Sequence, residues 1–283
     1  MRILVTGGSG RVGRFVVEEL AGAGHAVTSL DFAPAAWRIP GVAYMSGDVA
    51  RFEDVHGAMA YCRAEAVVHL AAWSDPGLVA DTRTYRDNVA GAFNVLEAAH
   101  GLRVGRVLLA STTHLYGFAG RGPLYAPVDE AHPLRPLNVY GLSKIAVEDA
   151  GRFYADNRGL NVIALRIMGA RDPADLPAEI DRAVADPEGG RFLLWTRSDA
   201  RDIAIGCRQA LETPGVASGA YHLTGALNLM DEDAAELLRR WCPEAEIRPG
   251  LSGPVSPLSI EKARAAFGYA PRYHWTGSRR PVG

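Results

Sequence analysis

Met1-Arg2-Ile3-Leu4-Val5-Thr6-Gly7-Gly8-Ser9-Gly10-Arg11-Val12-Gly13 is the stretch whose reading decides the fold. Ile3, Leu4 and Val5 form a continuous apolar run, the pattern of a strand buried on both faces. A glycine-rich turn follows, and a helix opens at Arg11 and runs to about Leu20. Gly8, Gly10 and Gly13 fit G-x-G-x-x-G, while Gly7, Gly10 and Gly13 fit the variant G-x-x-G-x-x-G. Either register leaves bare backbone at a helix start, where a pyrophosphate can reach N–H groups that a side chain would screen. Gly7, Gly10, Arg11, Val12 and Gly13 are therefore the candidate phosphate cradle. A second strand, Ala26-Val27-Thr28-Ser29-Leu30, ends at Asp31, 18 residues past Gly13. A carboxylate there accepts from both adenosine ribose hydroxyls and repels a 2′-phosphate. Strand, turn, helix, strand and acid in this order predict a dinucleotide site, for NAD rather than NADP. Arg38, seven residues on, is the one nearby group that could meet a 2′-phosphate instead.

The chain has 283 residues, 48% hydrophobic and 22% charged, which is ordinary globular material. Thirty basic against thirty-two acidic residues give a formal charge of −2, so nothing argues for nucleic acid as a partner. Cys62, Cys207 and Cys242 are odd in number and far apart, with neither disulfide nor zinc spacing. No His/Cys/Asp/Glu cluster stands at ligand spacing, so no metal is expected. No apolar stretch is long enough to span a bilayer, and the first strand starts at Arg2, so the expectation is a cytoplasmic protein without a membrane partner.

Strand-like and helix-like segments alternate. Candidate strands are Arg2–Thr6, His25–Asp31, Ala43–Met45, Ala66–Ala71, Val104–Ser111, Asn161–Arg166 and Ala220–Thr224. Candidate helices are Val12–Ala21, Glu53–Ala60, Tyr85–His100, Val139–Asp156 and Arg201–Leu211. Runs such as Val67-Val68-His69-Leu70-Ala71 suit a parallel sheet covered on both faces. The expectation is an α/β protein, a Rossmann-type doubly wound parallel sheet with a small C-terminal substrate-binding lobe. Residues 1–167 would form the nucleotide-binding domain and 168–283 the lobe, with 200–225 returning to the sheet. Gly117 to Pro136 reads as loop, and 170–196 and 226–283 as excursions from the sheet.

Tyr140-Gly141-Leu142-Ser143-Lys144 places a phenol and an ammonium at i and i+4, on one helix face. A free tyrosine has a pKa near ~10, and a cation beside it brings the phenol toward use as a base. Upstream, Ala110-Ser111-Thr112-Thr113-His114-Leu115-Tyr116-Gly117 lies at the carboxyl end of a buried strand, where ligands of doubly wound sheets sit. One hydroxyl there can hold a substrate oxygen; the others cap the strand end. His69 reads as a strand residue with a satisfied hydrogen bond. His114 is open between packing and substrate contact.

Taken together, these residues resemble the extended short-chain dehydrogenase/reductase family, the NAD(P)-dependent sugar epimerases, dehydratases and dehydrogenases. The resemblance is carried by Thr6–Gly13, Asp48-Val49, His69-Leu70-Ala71-Ala72, Asn88–Ala98, Ser111–Gly117, Tyr140–Lys144, Leu165-Arg166, Arg201–Ala204 and Gly219–Gly225. It implies that Tyr140 is the acid/base, that Lys144 serves both it and the nicotinamide ribose, and that Thr112 is the active hydroxyl. It implies further that Asp48 and Val49 border the adenine and that Leu70, Ala71 and Ala72 line the diphosphate side. Asn88 and Ala110 would complete the cofactor shell. It also implies a homodimer through the Tyr85–His100 and Val139–Asp156 helices, which carry apolar residues beyond one face.

Two departures bear on the substrate. Sugar-nucleotide members follow Leu-Arg with two aromatic or apolar residues and then an Asn that grips the diphosphate, whereas Leu165-Arg166-Ile167-Met168 is followed here by Gly169. The lobe is also short. The Ser111–Phe118 segment and Arg191–Trp195 are similar instead to uronate dehydrogenases, which oxidise a free sugar acid. Substrate contacts would fall to Thr112, Thr113, His114 and Arg166, the last either pairing with a carboxylate in the pocket or held in a structural salt bridge. The expected function is NAD-dependent oxidation of a secondary alcohol or hemiacetal of a sugar or sugar acid. The alternatives are a UDP- or dTDP-hexose 4-epimerase that retains NAD and, from another class, a non-catalytic NAD(P)-sensing protein.

Overall fold

Seven strands pair in register into one sheet: β1 (Arg2–Thr6), β2 (Ala26–Asp31), β3 (Ala43–Ser46), β4 (Ala66–His69), β5 (Arg106–Thr112), β6 (Asn161–Ile167) and β7 (Gly219–Leu223). The structure is a computed structural model that describes residues 1–276 and 281–282; residues 277–280 and 283, at the end of the expected lobe, lie outside the described residues. The strand order is β3-β2-β1-β4-β5-β6-β7 and every pairing is parallel. The order reverses between β1 and β4, which opens a crevice at the carboxyl ends of the strands.

The apolar run of β1 is explained by what covers each face. Ile3 and Val5 point into a core with Val16, Val17 and Leu20 of α1 (Gly13–Gly22). That core also holds Ile203 and Cys207 of α6 (Ala200–Glu212). Leu4 points the other way, into a second core with Val55 and Met59 of α2 (Phe52–Cys62). α3 (Asp81–Gly101) adds Val95 and Leu96 there, and α4 (Val139–Arg158) adds Val147 and Tyr154. Successive strand residues alternate faces, so a strand covered twice must be apolar at every position. Phe93 of α3 and Phe153 of α4 remain 49% and 48% exposed.

β4 ends at His69 rather than at Ala71, because Leu70 onward turns to lie against Gly7. β5 starts at Arg106 and runs through Thr112. The stretches outside the alternation contain short elements that periodicity did not reveal: α5 (Leu176–Ala185), α7 (Ala234–Trp241) and α8 (Glu261–Phe267). Two-residue parallel pairs tie Tyr125–Ala126 to Glu246–Ile247 and Ala170–Arg171 to Ser198–Asp199. A third core joins Met168, Leu194, Trp195, Leu237 and Leu238 to Leu115, Tyr116 and Phe118. This third core therefore draws partly on the 117–136 loop, while Ile260, Phe267 and Tyr269 return to the β1 core. No helix among the described residues is long and apolar enough to cross a membrane.

Arg106 stands at the amino-terminal end of β5, opposite the crevice. Its Nη1 donates to the carbonyls of Ala210, Leu211 and Thr213 at 2.7, 3.0 and 2.8 Å, and its Nε to Asn161 Oδ1 at 2.6 Å. These bonds satisfy the orphan carbonyls at the end of α6. Arg106→Met should lower the unfolding free energy by about 2 kcal/mol in urea titration, with the m-value unchanged.

Candidate functional site

The crevice is a cavity of about 680 Å³, bounded by the glycine-rich turn, the ends of β2, β3 and β5, the loop after β4, α4 and residues 167–171 and 192–193. Gly7 has φ +74°, and a Cβ on it would lie 2.5 Å from the Ala71 nitrogen. A Cβ on Gly13 would lie 2.0 Å from the Gly7 carbonyl oxygen. The turn thus needs glycine at both positions, which selects the Gly7, Gly10, Gly13 register; Gly8 is small for another reason, its closeness to Ser29. Val12 precedes α1 with no side-chain cap, and the first turn carries no acid. The exposed N–H groups and helix dipole fit a phosphate anion. Arg11, Val12, Ala71, Ala72 and Leu70 line the same cavity.

Asp31 also lines it and anchors the turn, accepting from Ser9 N at 2.9 Å and Ala33 N at 3.0 Å. Asp48 accepts from Ala50 N at 2.9 Å, and Val49 fills the notch above Gly91 on α3. Asn88 reaches the cavity, but its amide is used internally. Its Oδ1 accepts from Trp73 N at 2.8 Å, and its Nδ2 donates to Trp73 O and Ser143 Oγ at 3.2 and 3.1 Å. It ties the loop after β4 to the helix that carries Tyr140.

Tyr140 sits in the first turn of α4, set there by Asn138, whose side chain accepts from Gly141 N at 2.7 Å. Tyr140 and Lys144 are 8% and 2% exposed and both line the cavity. Burial pushes the Tyr140 phenol up to about 12, against the pull of a hydrogen bond with Thr112. Burial draws Lys144 down to about 8, while the nearby Glu148 carboxylate works to keep it charged. The lysine ammonium donates to Ala110 O at 2.8 Å and lies 5.9 Å from the Tyr140 ring centre. The spacing brings the two to one face, and the carbonyl at the end of β5 takes the ammonium. His69 is buried behind them, 2.7 Å from Thr6 Oγ1, and burial first and Lys144 second hold it down to about 3, hence neutral.

The three hydroxyls after Ala110 separate. Ser111 donates to Glu148, Thr113 donates to Met168 Sδ at 3.0 Å, and Thr112 faces Tyr140 and accepts from His114 N at 3.2 Å. Thr113 lies outside the cavity lining, so it does not join the predicted substrate contacts. His114 does line it, edge-on to the Tyr140 ring at 5.6 Å between centres.

Arg166 takes the structural alternative. Its Nε and Nη2 grip Glu148 at 2.9 and 2.7 Å, and its Nη1 donates to Tyr116 Oη at 2.8 Å and Glu130 O at 2.9 Å. It lies away from the cavity lining, where Arg171 stands instead. Arg171, Arg182 and Arg197 all pair with the single carboxylate of Glu179, at 3.1, 3.0 and 2.9 Å. Of these three, Arg171 is the one that lines the cavity. Sequence reasoning missed Arg171, Phe192, Phe32 and Trp73, which line the cavity from segments read as irregular. Among the described residues no group of three or more His, Cys, Asp or Glu could hold a metal ion.

The sequence model of the NAD dependent epimerase/dehydratase family matches residues 3–197. An L-arabinose 1-dehydrogenase (NAD(P)(+)) of Haloferax volcanii is 37% identical over 175 residues, 59% of this chain and 66% of that protein. A UDP-glucose 4-epimerase of Streptomyces lividans is 31% identical over 227 residues, 76% of this chain and 63% of the relative. Both matches span less than two thirds of the relative's own length. A uronate dehydrogenase of Pseudomonas putida is 29% identical over 221 residues, 71% of this chain and 78% of that one. A short-chain dehydrogenase/reductase superfamily protein from Agrobacterium tumefaciens, solved with bound NAD, matches with a TM-score of 0.75 at 26% identity, covering 98% of this chain and 94% of that chain.

The chain contains two lysines, Lys144 and Lys262. In protein labelled with 13C-lysine, the Lys144 ε-carbon should titrate near 8, with Lys262→Arg identifying the signal. Because the Glu148 carboxylate favours the ammonium, Glu148→Gln should move that midpoint down. An upward shift would contradict the electrostatics described here.

Proposed function

The chain belongs to the NAD-dependent epimerase/dehydratase family, and from that membership we propose that it is an NAD-dependent dehydrogenase acting on the hemiacetal or a secondary alcohol of a small, free, anionic sugar. The observation that carries this reading is the cavity wall formed by residues 167–171 and 192–193. Gly169, at φ +45°, stands where nucleotide-sugar members of the resembled family place Asn. A Cβ there would lie 3.0 Å from Arg197 Cδ and 3.1 Å from Leu193 Cδ1. A side chain at 169 would crowd Arg197 and Leu193, which disfavours an Asn grip on a nucleotide diphosphate, and Arg171 beside it offers a guanidinium for a carboxylate. The lobe built on the Met168, Trp195 and Leu237 core is the proposed substrate domain.

The proposed roles follow from the geometry. Thr112 and Tyr140 hold the substrate oxygen between them. Tyr140 takes the hydroxyl proton in oxidation and returns it in reduction. Burial keeps Tyr140 protonated at neutral pH, so the base form needs added positive charge or alkaline solution. Lys144, held by Ala110 O, carries a charge that responds to pH near 8. Gly7 to Gly13 would receive the pyrophosphate, and Asp31 the adenosine ribose. Bound NAD supplies the hydride acceptor and the positive nicotinamide. A homodimer through the α3 and α4 faces that carry Phe93 and Phe153 belongs to the same proposal; a monomer by light scattering at micromolar concentration would remove it.

Three measurements test the reading. NAD should bind more tightly than NADP in calorimetry, because the Asp31 carboxylate repels a 2′-phosphate. Tyr140→Phe should lower kcat at least ~10²-fold while cofactor affinity hardly changes. In a substrate panel, NADH should appear at 340 nm with a free hexuronic acid and not with UDP-glucose, and Arg171→Met should raise KM for the acid by about tenfold or more, as loss of a charged hydrogen-bond partner does. Conversion of a UDP- or dTDP-hexose to its epimer without NADH would replace this reading with the 4-epimerase.

A further inference from the structure

We propose that Phe32 and Trp73 form an aromatic clasp on the adenosine half of the dinucleotide, Trp73 as the fixed jaw and Phe32 as the movable one. The inference rests on the reading that the cleft takes NAD, and it adds residues that no glycine or acid motif specifies. Phe32 follows Asp31 directly at the carboxyl end of β2, and Trp73 lies in the loop after β4. These two strands flank β1, whose end carries the phosphate cradle. The rings meet across it, 5.8 Å between centres and tilted by 48°. Both line the cavity together with Asp31, Asp48 and Val49.

The two jaws are held very differently. Trp73 is pinned at its backbone by both polar atoms of the Asn88 amide, at 2.8 and 3.2 Å. Its indole N–H donates to Asp87 at 2.9 Å, and the Arg83 guanidinium covers the ring at 5.0 Å. Asp87 is itself braced by Arg83 and Arg86. Phe32 is 66% exposed and its ring meets Trp73. A phenyl kept for packing alone would be covered; this one borders the cavity. A planar heterocycle gains most from two rings. Of the two in a dinucleotide, the purine is the one on this side, because Phe32 directly follows Asp31 and shares the cavity with Asp48 and Val49, while the nicotinamide belongs at Tyr140.

The test separates this inference from the dinucleotide reading beneath it. The full chain is titrated with NAD, ADP-ribose and nicotinamide mononucleotide, followed by calorimetry and by tryptophan emission. NAD and ADP-ribose should quench emission, and nicotinamide mononucleotide should not. Among the five tryptophans, Trp73→Phe should remove the quench while ADP-ribose affinity stays within about threefold, since a ring remains. Trp73→Ala and Phe32→Ala should each raise the ADP-ribose Kd about tenfold, the scale of a lost base–aromatic stack. Thermal melts by circular dichroism check folding, and the exposed Phe32 position keeps the test available where Trp73→Ala unfolds the loop. A quench that survives in Trp73→Phe, or ADP-ribose affinity unchanged in Phe32→Ala, overturns the clasp. Failure of both NAD and ADP-ribose to bind the unmodified chain overturns the dinucleotide reading and the clasp with it.

Discussion

The rest of the site depends on one close approach. The left-handed Gly7 lets the turn after β1 lie against the backbone of Ala71, and Gly13 lets α1 start directly on the Gly7 carbonyl. An added methyl at either point would meet main-chain atoms, which cannot swing aside as a side chain can. That packing draws the loop after β4 against the cradle, ends β4 at His69 and delivers Ala71, Ala72 and Trp73 to the cavity. Asn88 then carries the constraint onward. By binding both backbone groups of Trp73 and the Ser143 hydroxyl, it ties the cradle side of the crevice to α4 and hence to Tyr140 and Lys144.

A second constraint lies beneath the reacting groups. Glu148, one turn beyond Lys144, receives Ser111 from β5 and Arg166 from β6, two residues paired in register across the sheet. Arg166 continues to Tyr116, whose hydroxyl lies 2.6 Å from His222 Nε2 on β7; the other ring nitrogen of His222 lies 2.9 Å from Ser259 O. Each member of this chain of contacts, from Ser111 and Glu148 through Arg166 and Tyr116 to His222, has a partner, as a low-dielectric interior requires. The consequence for the site is local. The Glu148 charge stands near a lysine that burial would otherwise discharge further. The same network spends Arg166, so the guanidinium at this end of the cavity is that of Arg171.

Much of this architecture is legible along the chain. Seven apolar segments forecast the seven strands, and the strand–turn–helix–strand–acid series placed Gly7, Gly13 and Asp31 on one crevice. The cavity also takes in Tyr140, Lys144 and Thr112, whose proposed chemistry came from spacing and resemblance. Part of what was missed had a signal. Arg166 shares the parity of Val162, which faces α4, so strand alternation already points it toward Glu148 and away from a pocket. Ser111 shares the parity of Leu109 on the same face, which leaves Thr112 to the other side. Arg171 had no such signal, because it lies in a short irregular segment beyond the sheet, and Phe192 fell in the Arg191–Trp195 resemblance without anything to place its ring on the cavity.

Sequence alone determined the doubly wound sheet and the location of the crevice. Both follow from local rules: which faces of a strand are covered, and where a helix start is left bare. Tertiary structure decided which neighbour each polar side chain met. Lys144 found the Ala110 carbonyl rather than the Tyr140 phenol, Arg166 found Glu148, and Arg171 reached the cavity. Periodicity assigns a residue to a face, but the partner waiting there comes from a distant segment brought in by packing. A buried charge settles on the group that best offsets its lost hydration, and that group is known only once the elements are assembled.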